Sequence, residues 1–170
     1  EFSFPEPISE SEKTTLADIL EDNVDKKYYV RDAIRESRIE RLKDKNYPKP
    51  YISHENMAGS ITPHPYSSAL RAGASANYIL INDERRPTER ELLRIQGFPD
   101  DFKIVVPYGK IKKQTGNSVA VPVIKAVARE MIAALKNFHE NGGVKDGKST
   151  KIEGFQTSHN TDSIPAKCVS

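Results

Sequence analysis

The residues of this chain with the clearest binding chemistry are Gly116, Asn117 and Ser118. Such a triplet is typical of a turn, in which glycine permits unusual backbone shapes and the Asn117 amide both donates and accepts hydrogen bonds. Asn117 could therefore bond either the neighbouring backbone or a ligand. The sequence contains one cysteine, Cys168, which excludes an internal disulfide and a zinc site built from cysteines, and which indicates a reducing compartment.

Two helices are predicted to flank this triplet. Thr88 and Glu91 have the spacing of a capping box, so each can bond the backbone of the other at the start of a helix. Gly97 is predicted to end that helix, and Pro99 prevents its continuation. Pro122 suits the first turn of the second helix, whose apolar residues recur every three or four positions and form a wide stripe. The first helix is polar at its start, and the second requires a surface to pack against.

Two further helices are predicted near the start of the chain. Thr14 or Thr15 could cap a short helix that continues to Leu20. A longer helix is predicted from Tyr28 to Leu42. In that helix the inward residues are predicted to be Val30, Ala33, Ile34 and Leu42, and the largely outward residues Arg31, Arg35, Arg38 and Arg41.

The central and final segments have weaker patterns. Residues 51–75 are rich in proline, glycine and serine and are predicted to be irregular. Residues 78–81 and 105–106 are predicted to form short strands. After residue 141 the sequence becomes polar, and we expect a tail with little fixed structure.

Charge is distributed unevenly along the chain, although the net charge is only +2. Residues 1–26 carry eight acids and two bases, whereas residues 27–71 carry nine bases and five acids and residues 103–136 carry seven bases and one acid. A nucleic-acid partner would need the two basic segments on one face. Charge alone favours the alternative, in which these are ordinary solvated side chains. The sequence has no apolar run that could cross a membrane and no signal-peptide pattern.

Two blocks of sequence, residues 85–102 and 114–123, resemble the last two motifs of DNA cytosine-5 methyltransferases. The first contains Arg-Arg-Pro-Thr-Glu-Arg-Glu and Gln-Gly-Phe-Pro-Asp, and the second contains Gln-Thr-Gly-Asn-Ser-Val. Residues 2–21 are similar to the segment that follows the family's eighth motif, and residues 68–80 to the core of its target-recognition region. The similarity spans about residues 2–138, and the chain resembles the back third of such an enzyme.

This resemblance implies an α/β protein in two parts. Residues 1–108 would form an irregular, mixed α+β lobe that recognises target DNA. Residues 109–140 would form a turn and a C-terminal helix that docks on the sheet of an S-adenosylmethionine-dependent methyltransferase, and residues 141–170 a polar tail. The implied partners are double-stranded DNA and an N-terminal catalytic part, either in the same longer chain or as a separate subunit. The implied location is the bacterial cytoplasm, in association with DNA of the nucleoid.

The same resemblance assigns binding residues. S-adenosylmethionine would be contacted by Asn117, Ser118 and Val119, although Asn117 could instead cap the following helix. DNA would be contacted by Thr62, Ser68, Leu70, Arg71, Gly73, Arg86, Lys112 and Lys113. Many family members have Thr-Leu where this chain has Ala69-Leu70, so a hydroxyl from Ser68 or Thr62 could replace the missing one. His54 and His64 could contact DNA or could equally pack the loop.

The catalytic groups of the family are not recognised in this chain. The family's nucleophilic cysteine follows a proline, whereas Cys168 follows Lys167. Because the sequence does not begin with methionine, we expect an excerpt, a processed product or an engineered piece of a longer chain. The family resemblance also allows the small subunit of a split enzyme. Two interpretations remain open: the C-terminal part of a cytosine-5 methyltransferase that is inactive alone, or a non-catalytic DNA-binding module or degenerate relative.

Overall fold

A computed structural model describes residues 2–9, 13–42 and 47–140. The predicted tail, residues 141–170, lies outside the described residues. Among the described residues, two α-helices precede three strands, and three α-helices follow them. A single turn of 3-10 helix covers Lys26–Tyr28. In chain order the elements are α1 (Leu16–Ile19), α2 (Asp32–Arg41), β1 (Ile52–Glu55), β2 (Ile61–His64), β3 (Ile79–Ile81), α3 (Glu89–Ile95), α4 (Tyr108–Asn117) and α5 (Val121–Glu140).

The three strands form an antiparallel sheet in the order β2-β1-β3. Ile52 at the start of β1 lies opposite His64 in β2 and Ile81 in β3. Of the two predicted strands, the one at residues 78–81 is confirmed as β3, which begins one residue later than predicted. The three residues of β3 are all buried. Helices α3 and α4 pack together beside the sheet, and the core joins their residues Leu92 and Ile111 to those of the strands.

The prediction that residues 51–75 are irregular is wrong, because this segment contains the β1-β2 hairpin. Its polar residues hide the strand pattern, and Pro63 argued against a strand. The proline is tolerated because β2 is an edge strand, where fewer backbone donors are needed. The turn is closed by Asn56, whose Oδ1 accepts from the backbone N–H groups of Ala58 at 2.9 Å and Ser60 at 3.0 Å. Gly59 completes it with a φ of +78°.

Two of the predicted helix starts are confirmed. Thr15 caps α1 and Thr88 caps α3, and in both cases the third helical residue completes a capping box. In α3 that residue is Glu91, which is fully buried and bonds the Thr88 N–H at 2.8 Å. Gly97 has a φ of +77° just beyond the helix, as its predicted role in ending α3 requires.

The predicted helix from Tyr28 to Leu42 is shorter than expected, because α2 begins at Asp32 and Tyr28 belongs to the 3-10 turn. Arg38 was predicted to point outward but is fully buried, whereas Ala33 was predicted inward and is exposed. The Arg38 guanidinium is tolerated in the interior because Ser53 accepts from it at 3.0 Å and Glu55 at 3.0 Å.

The predicted strand at residues 105–106 is also wrong. This segment is a loop that leads into α4, and the Val105 side chain is 83% exposed. Without a neighbouring strand to supply hydrogen bonds, β-branched residues alone do not make a strand.

Helix α5 is amphipathic, yet none of its residues is buried by the rest of the described chain. The exposed apolar residues lie along one stripe and are Val123, Ile124, Met131, Ile132, Leu135 and Phe138. Pro122 was predicted to lie in the first turn of this helix, and it is the second residue of α5. Within the described residues no helix combines the length and apolar character needed to cross a membrane.

Candidate functional site

A cleft of about 480 Å³ lies between the hairpin and the loop that precedes β3. It brings together two of the residues predicted to contact DNA, Arg71 and Gly73, with residues that the sequence did not single out. The lining residues are Glu55, Asn56, Met57, Arg71, Gly73, Ala74, Ser75 and Tyr78. We call residues 71–75 the recognition loop, after the target-recognition region to which the family resemblance assigns them.

Arg71 is held on two sides. Its guanidinium carbon lies 5.1 Å from the centre of the Tyr78 ring, and its Nη2 donates to the Glu55 carbonyl at 3.2 Å. The Arg71 backbone N–H donates to the Tyr78 hydroxyl oxygen at 3.0 Å. Its Nε is enclosed and has no hydrogen-bond partner among the described residues. The side chain is therefore fixed in direction while part of its donor capacity is unused.

Lys112 approaches the same tyrosine from helix α4. Its Nζ lies 5.4 Å from the centre of the Tyr78 ring and donates to the Ala74 carbonyl at 2.5 Å. Burial lowers the pKa of Lys112, and the positive charge of Arg71 lowers it further. Lys113, the other lysine predicted to contact DNA, is exposed on the same helix.

A partly buried polar network supports the hairpin beneath the cleft. The Glu55 carboxylate pairs with Arg38 at 3.0 Å and with Arg41 at 2.6 Å. Ser53, which accepts from Arg38, in turn donates to the carboxylate of Asp83. Burial is the main cause that lowers the pKa of Arg38, and Glu55 and Asp83 act against it. The network fixes the Glu55 carbonyl that orients Arg71.

The other residues predicted to contact DNA are dispersed. Thr62 is exposed on β2, Ser68 is half-buried, and the Leu70 side chain is buried in the core, so only its backbone is free for a contact. Arg86 lies away from the cleft, where its guanidinium is 5.5 Å from the Tyr108 ring and its Nη2 donates to the Lys27 carbonyl at 2.8 Å.

The two histidines of the hairpin, His54 in β1 and His64 in β2, make ring contacts. His54 meets Tyr78 edge to face, with centroids 5.9 Å apart, and His64 stacks on Tyr66 at 4.9 Å. Burial lowers the pKa of His54, and the nearby charges of Arg71, His64 and Arg38 lower it further. The lowered pKa favours the neutral form of the His54 ring beside the cleft.

The predicted turn at Gly116-Asn117-Ser118 is wrong, because α4 continues through Asn117 and Ser118 is the residue that ends it. The helix persists because Ile111 and Thr115 anchor its inner face in the core. Asn117 therefore lies within α4 rather than capping α5. Asn117 is exposed, Val119 is 59% exposed, and the Ser118 hydroxyl donates to the Thr115 carbonyl at 2.9 Å.

Glu55 and Tyr78 are the functional candidates that the sequence did not reveal. Tyr78 lies at the start of a predicted strand, which gave no reason to place it beneath two cations. Glu55 belongs to the hairpin that was predicted to be irregular. Among the described residues no group of three or more histidine, cysteine, aspartate or glutamate side chains could hold a metal ion.

A family model for C-5 cytosine-specific DNA methylases matches residues 1–133. The chain belongs to this family. It is 48% identical over 130 residues to the type II methyltransferase M.NgoBI of Neisseria gonorrhoeae, an alignment that covers 75% of this chain and 40% of that methylase. It is 46% identical over 136 residues to M.HaeII of Haemophilus aegyptius, with 79% of this chain and 42% of the relative covered.

A more distant methylase, M.SsoII of Shigella sonnei, is 38% identical over 138 residues, which cover 79% of this chain and 36% of the relative. The chain thus spans about two fifths of the curated methylases that it matches. The resemblance of its motifs to cytosine-5 methyltransferases is confirmed over most of the described residues.

Proposed function

We propose that this chain is the DNA-reading, C-terminal part of a DNA cytosine-5 methyltransferase of the restriction-modification type. The whole enzyme would transfer a methyl group from S-adenosylmethionine to C5 of a flipped cytosine in a specific duplex sequence. An N-terminal catalytic part would supply the cysteine nucleophile and most of the cofactor pocket. Such an enzyme would work in the bacterial cytoplasm, on the DNA of the nucleoid.

The observation that carries this proposal is the fixed direction of Arg71 at the cleft. An arginine that recognises guanine must present two N–H groups to adjacent acceptors of one base edge. The Tyr78 ring and the Glu55 carbonyl restrict the rotation of the guanidinium before any ligand arrives. Restriction of this kind lowers the entropy cost of binding and favours base reading over a loose phosphate contact.

Gly73 supports the same role. It lies in the exposed part of the recognition loop, and a side chain at this position would meet no atom within 4 Å. The open space allows a nucleic-acid backbone to approach the loop closely. Thr62 on the edge strand and Lys113 on α4 are further proposed contacts, the first to a base or phosphate and the second to phosphate.

The exposed stripe of α5 supports a catalytic part as the partner. A helix with six large apolar residues half-exposed on one face is unusual for a surface element and marks a contact surface. We assign this surface to the sheet of the catalytic part, as in the family resemblance. The docked helix would carry Asn117, Ser118 and Val119, which precede it directly, to the side of the cofactor.

The Asn117-Val119 segment has suitable chemistry for S-adenosylmethionine, which supplies the methyl group. Asn117 is exposed, and its amide can both donate and accept hydrogen bonds. Val119 offers a mostly uncovered apolar surface. The Ser118 hydroxyl is engaged by the Thr115 carbonyl, so its proposed contribution is made through its lone pairs or its backbone.

Methyl transfer by a reconstituted enzyme tests the proposed function. The chain is expressed with the part of M.NgoBI that it does not match, either fused or as a second polypeptide. Duplex DNA is then incubated with tritiated S-adenosylmethionine. We expect label at cytosine C5 with both parts together and none with either part alone. Labelling by the 170-residue chain alone, or tight DNA binding without methylation by the pair, would overturn the assignment in favour of another role.

Variants of Arg71 test its role as a reader. Arg71→Ala should reduce the preference for the recognised sequence over random DNA by about 1–3 kcal/mol, because one base contact is lost. Arg71→Lys is the matched control, since it retains the charge and loses the planar fork. An equal loss on the recognised sequence and on random DNA in Arg71→Ala would show that Arg71 touches only phosphate.

A further inference from the structure

Helix α4 contacts the recognition loop at two points, one helical turn apart. At the first point Gly116 faces the backbone of Arg71 and Ala72. A methyl group at Gly116 would lie 2.7 Å from the Ala72 Cα and 2.7 Å from the Arg71 carbonyl carbon. These are backbone atoms, so a rotation of a flexible side chain could not relieve the overlap. Glycine is therefore the residue type that this approach permits.

The backbone shape at residue 116 does not by itself require glycine. Residue 116 lies inside α4, and the glycines of the described chain with positive φ are Gly59 and Gly97. After proline, glycine is the least favourable residue in the interior of a helix. The local disadvantage is offset by the close packing of α4 on the loop, which is a contact between segments about forty residues apart in the chain.

Lys112 makes the second contact. It precedes Gly116 by four residues, so both lie on the same face of the helix. Its ammonium bonds the Ala74 carbonyl and stands over the Tyr78 ring, on which the Arg71 guanidinium also lies. The loop is thus attached to α4 at Ala72 by packing and at Ala74 by a charge-assisted hydrogen bond.

We propose that Gly116 and Lys112 are specificity-determining positioning residues, which hold the recognition loop so that Arg71 addresses DNA in one orientation. The inference rests on the proposed function. It assigns the first residue of the Gly-Asn-Ser-Val segment to DNA reading, although the next three residues are assigned to the cofactor. One helix end would therefore serve both the DNA loop and the cofactor side.

The test compares Gly116→Ala with Gly109→Ala in the reconstituted enzyme. Gly109 lies in the same helix, and a side chain there would meet no atom within 4 Å. For each variant, kcat/KM is measured on the recognised sequence and on the same duplex with one base pair changed. We expect Gly116→Ala to lower the ratio by about tenfold, the loss of one good base contact. Gly109→Ala should leave the ratio unchanged.

A second pair of variants decides the outcome if Gly116→Ala does not fold. Lys112→Met keeps most of the side-chain length but loses the N–H donors, and Lys113→Met is its exposed neighbour. We expect Lys112→Met to lower discrimination, whereas Lys113→Met should alter the salt dependence of binding without altering discrimination. A flattened salt dependence with unchanged discrimination in Lys112→Met would identify Lys112 as a phosphate contact and overturn its positioning role.

A readout without catalysis separates this inference from the proposed function. In the 170-residue chain alone, amide hydrogen exchange of residues 71–75 should accelerate in Gly116→Ala and Lys112→Met but not in Gly109→Ala. Equal exchange in all three, or equal DNA discrimination by the two glycine variants, overturns the inference. Absence of methylation by the unaltered pair would instead contradict the proposed function, and the exchange measurement would still decide whether α4 holds the loop.

Discussion

Replacement of Glu91 by glutamine should lower the free energy of unfolding more than the replacement of any exposed charged residue. The Arg85 and Glu91 side chains are 9% and 0% exposed, and their bidentate pair has two N–O distances of 2.7 Å. The Glu91 carboxylate also accepts from the backbone N–H groups of Thr88 at 2.8 Å and Glu21 at 2.9 Å. One carboxylate thus satisfies four donors from three residues, Arg85, Thr88 and Glu21.

Glutamine has nearly the same volume, but it removes the charge and replaces one acceptor oxygen with a donor. The Arg85 guanidinium would then remain enclosed without its counter-ion, and at least one backbone N–H would face another donor. Loss of one partner from a buried ion pair costs about 3–5 kcal/mol. We therefore expect the free energy of unfolding to fall by about this amount in Glu91→Gln.

Urea unfolding of the purified chain, followed by circular dichroism, measures the effect. The matched control is Asp100→Asn, because Asp100 forms a bidentate pair with Arg94 at 2.7 and 2.8 Å but is 63% exposed. Solvent screens such a pair, so its loss should be much smaller. Arg85→Met combined with Glu91→Gln should cost less than the sum of the two single changes. Equal midpoints for Glu91→Gln and Asp100→Asn would refute the reasoning.

Three further predictions concern the core, the pH dependence and the cofactor side. Leu80→Ala should cost about 2–5 kcal/mol by urea unfolding, because Leu80 is 0% exposed, while Val105→Ala should change stability by less than about 0.5 kcal/mol; similar losses would contradict the core assignment. The pKa of His54 in the folded chain is lowered from 6.5, so the unfolded chain binds a proton at His54 more readily than the folded chain does. The stability contributed by neutral His54 is therefore complete above about pH 6.5 and declines as the pH falls from 6.5 toward the folded pKa. His54→Gln should reduce that decline, and an unchanged pH profile would exclude His54 as its source. Asn117→Ala in the reconstituted enzyme should raise the KM for S-adenosylmethionine with DNA affinity nearly unchanged, and a loss of stability alone would argue against a cofactor contact.

Local signals in the sequence were sufficient where neighbouring residues determine the structure. The Thr88-Glu91 capping box and the helix end at Gly97 involve contacts within ten residues, and both were predicted. The strand at 79–81 was predicted because its residues form a short apolar run. All three of these residues are buried in the structure. The resemblance of the motifs added what local patterns could not, namely the family to which the chain belongs.

Contacts between distant segments explain the errors. Arg38 was placed outward because arginine on a helix normally faces water, but its partners Ser53 and Glu55 come from the sheet. Gly116 was assigned to a turn because glycine and asparagine favour turns, whereas its role is set by the approach of Ala72. Neither partner can be recognised from the sequence around the residue itself.

The candidate site was predicted in part. Arg71 and Gly73 line one cleft, and Lys112 of helix α4 bonds the loop that carries them. The sequence did not predict that Tyr78 would join Arg71 to Lys112, because a tyrosine before a strand usually contributes to the core. The apolar stripe of α5 was predicted from its periodicity, and its exposure supports a partner for this face.

The origin of sequence specificity tests the central claim most directly. This chain is joined separately to the parts of M.NgoBI and of M.SsoII that it does not match. Methylated sites are mapped by bisulfite sequencing for the two hybrids and both parents, and the test requires parents whose own sites differ. If this chain reads DNA, the two hybrids will methylate the same sequence. Hybrids that each methylate the sequence of their own catalytic parent would contradict the claim.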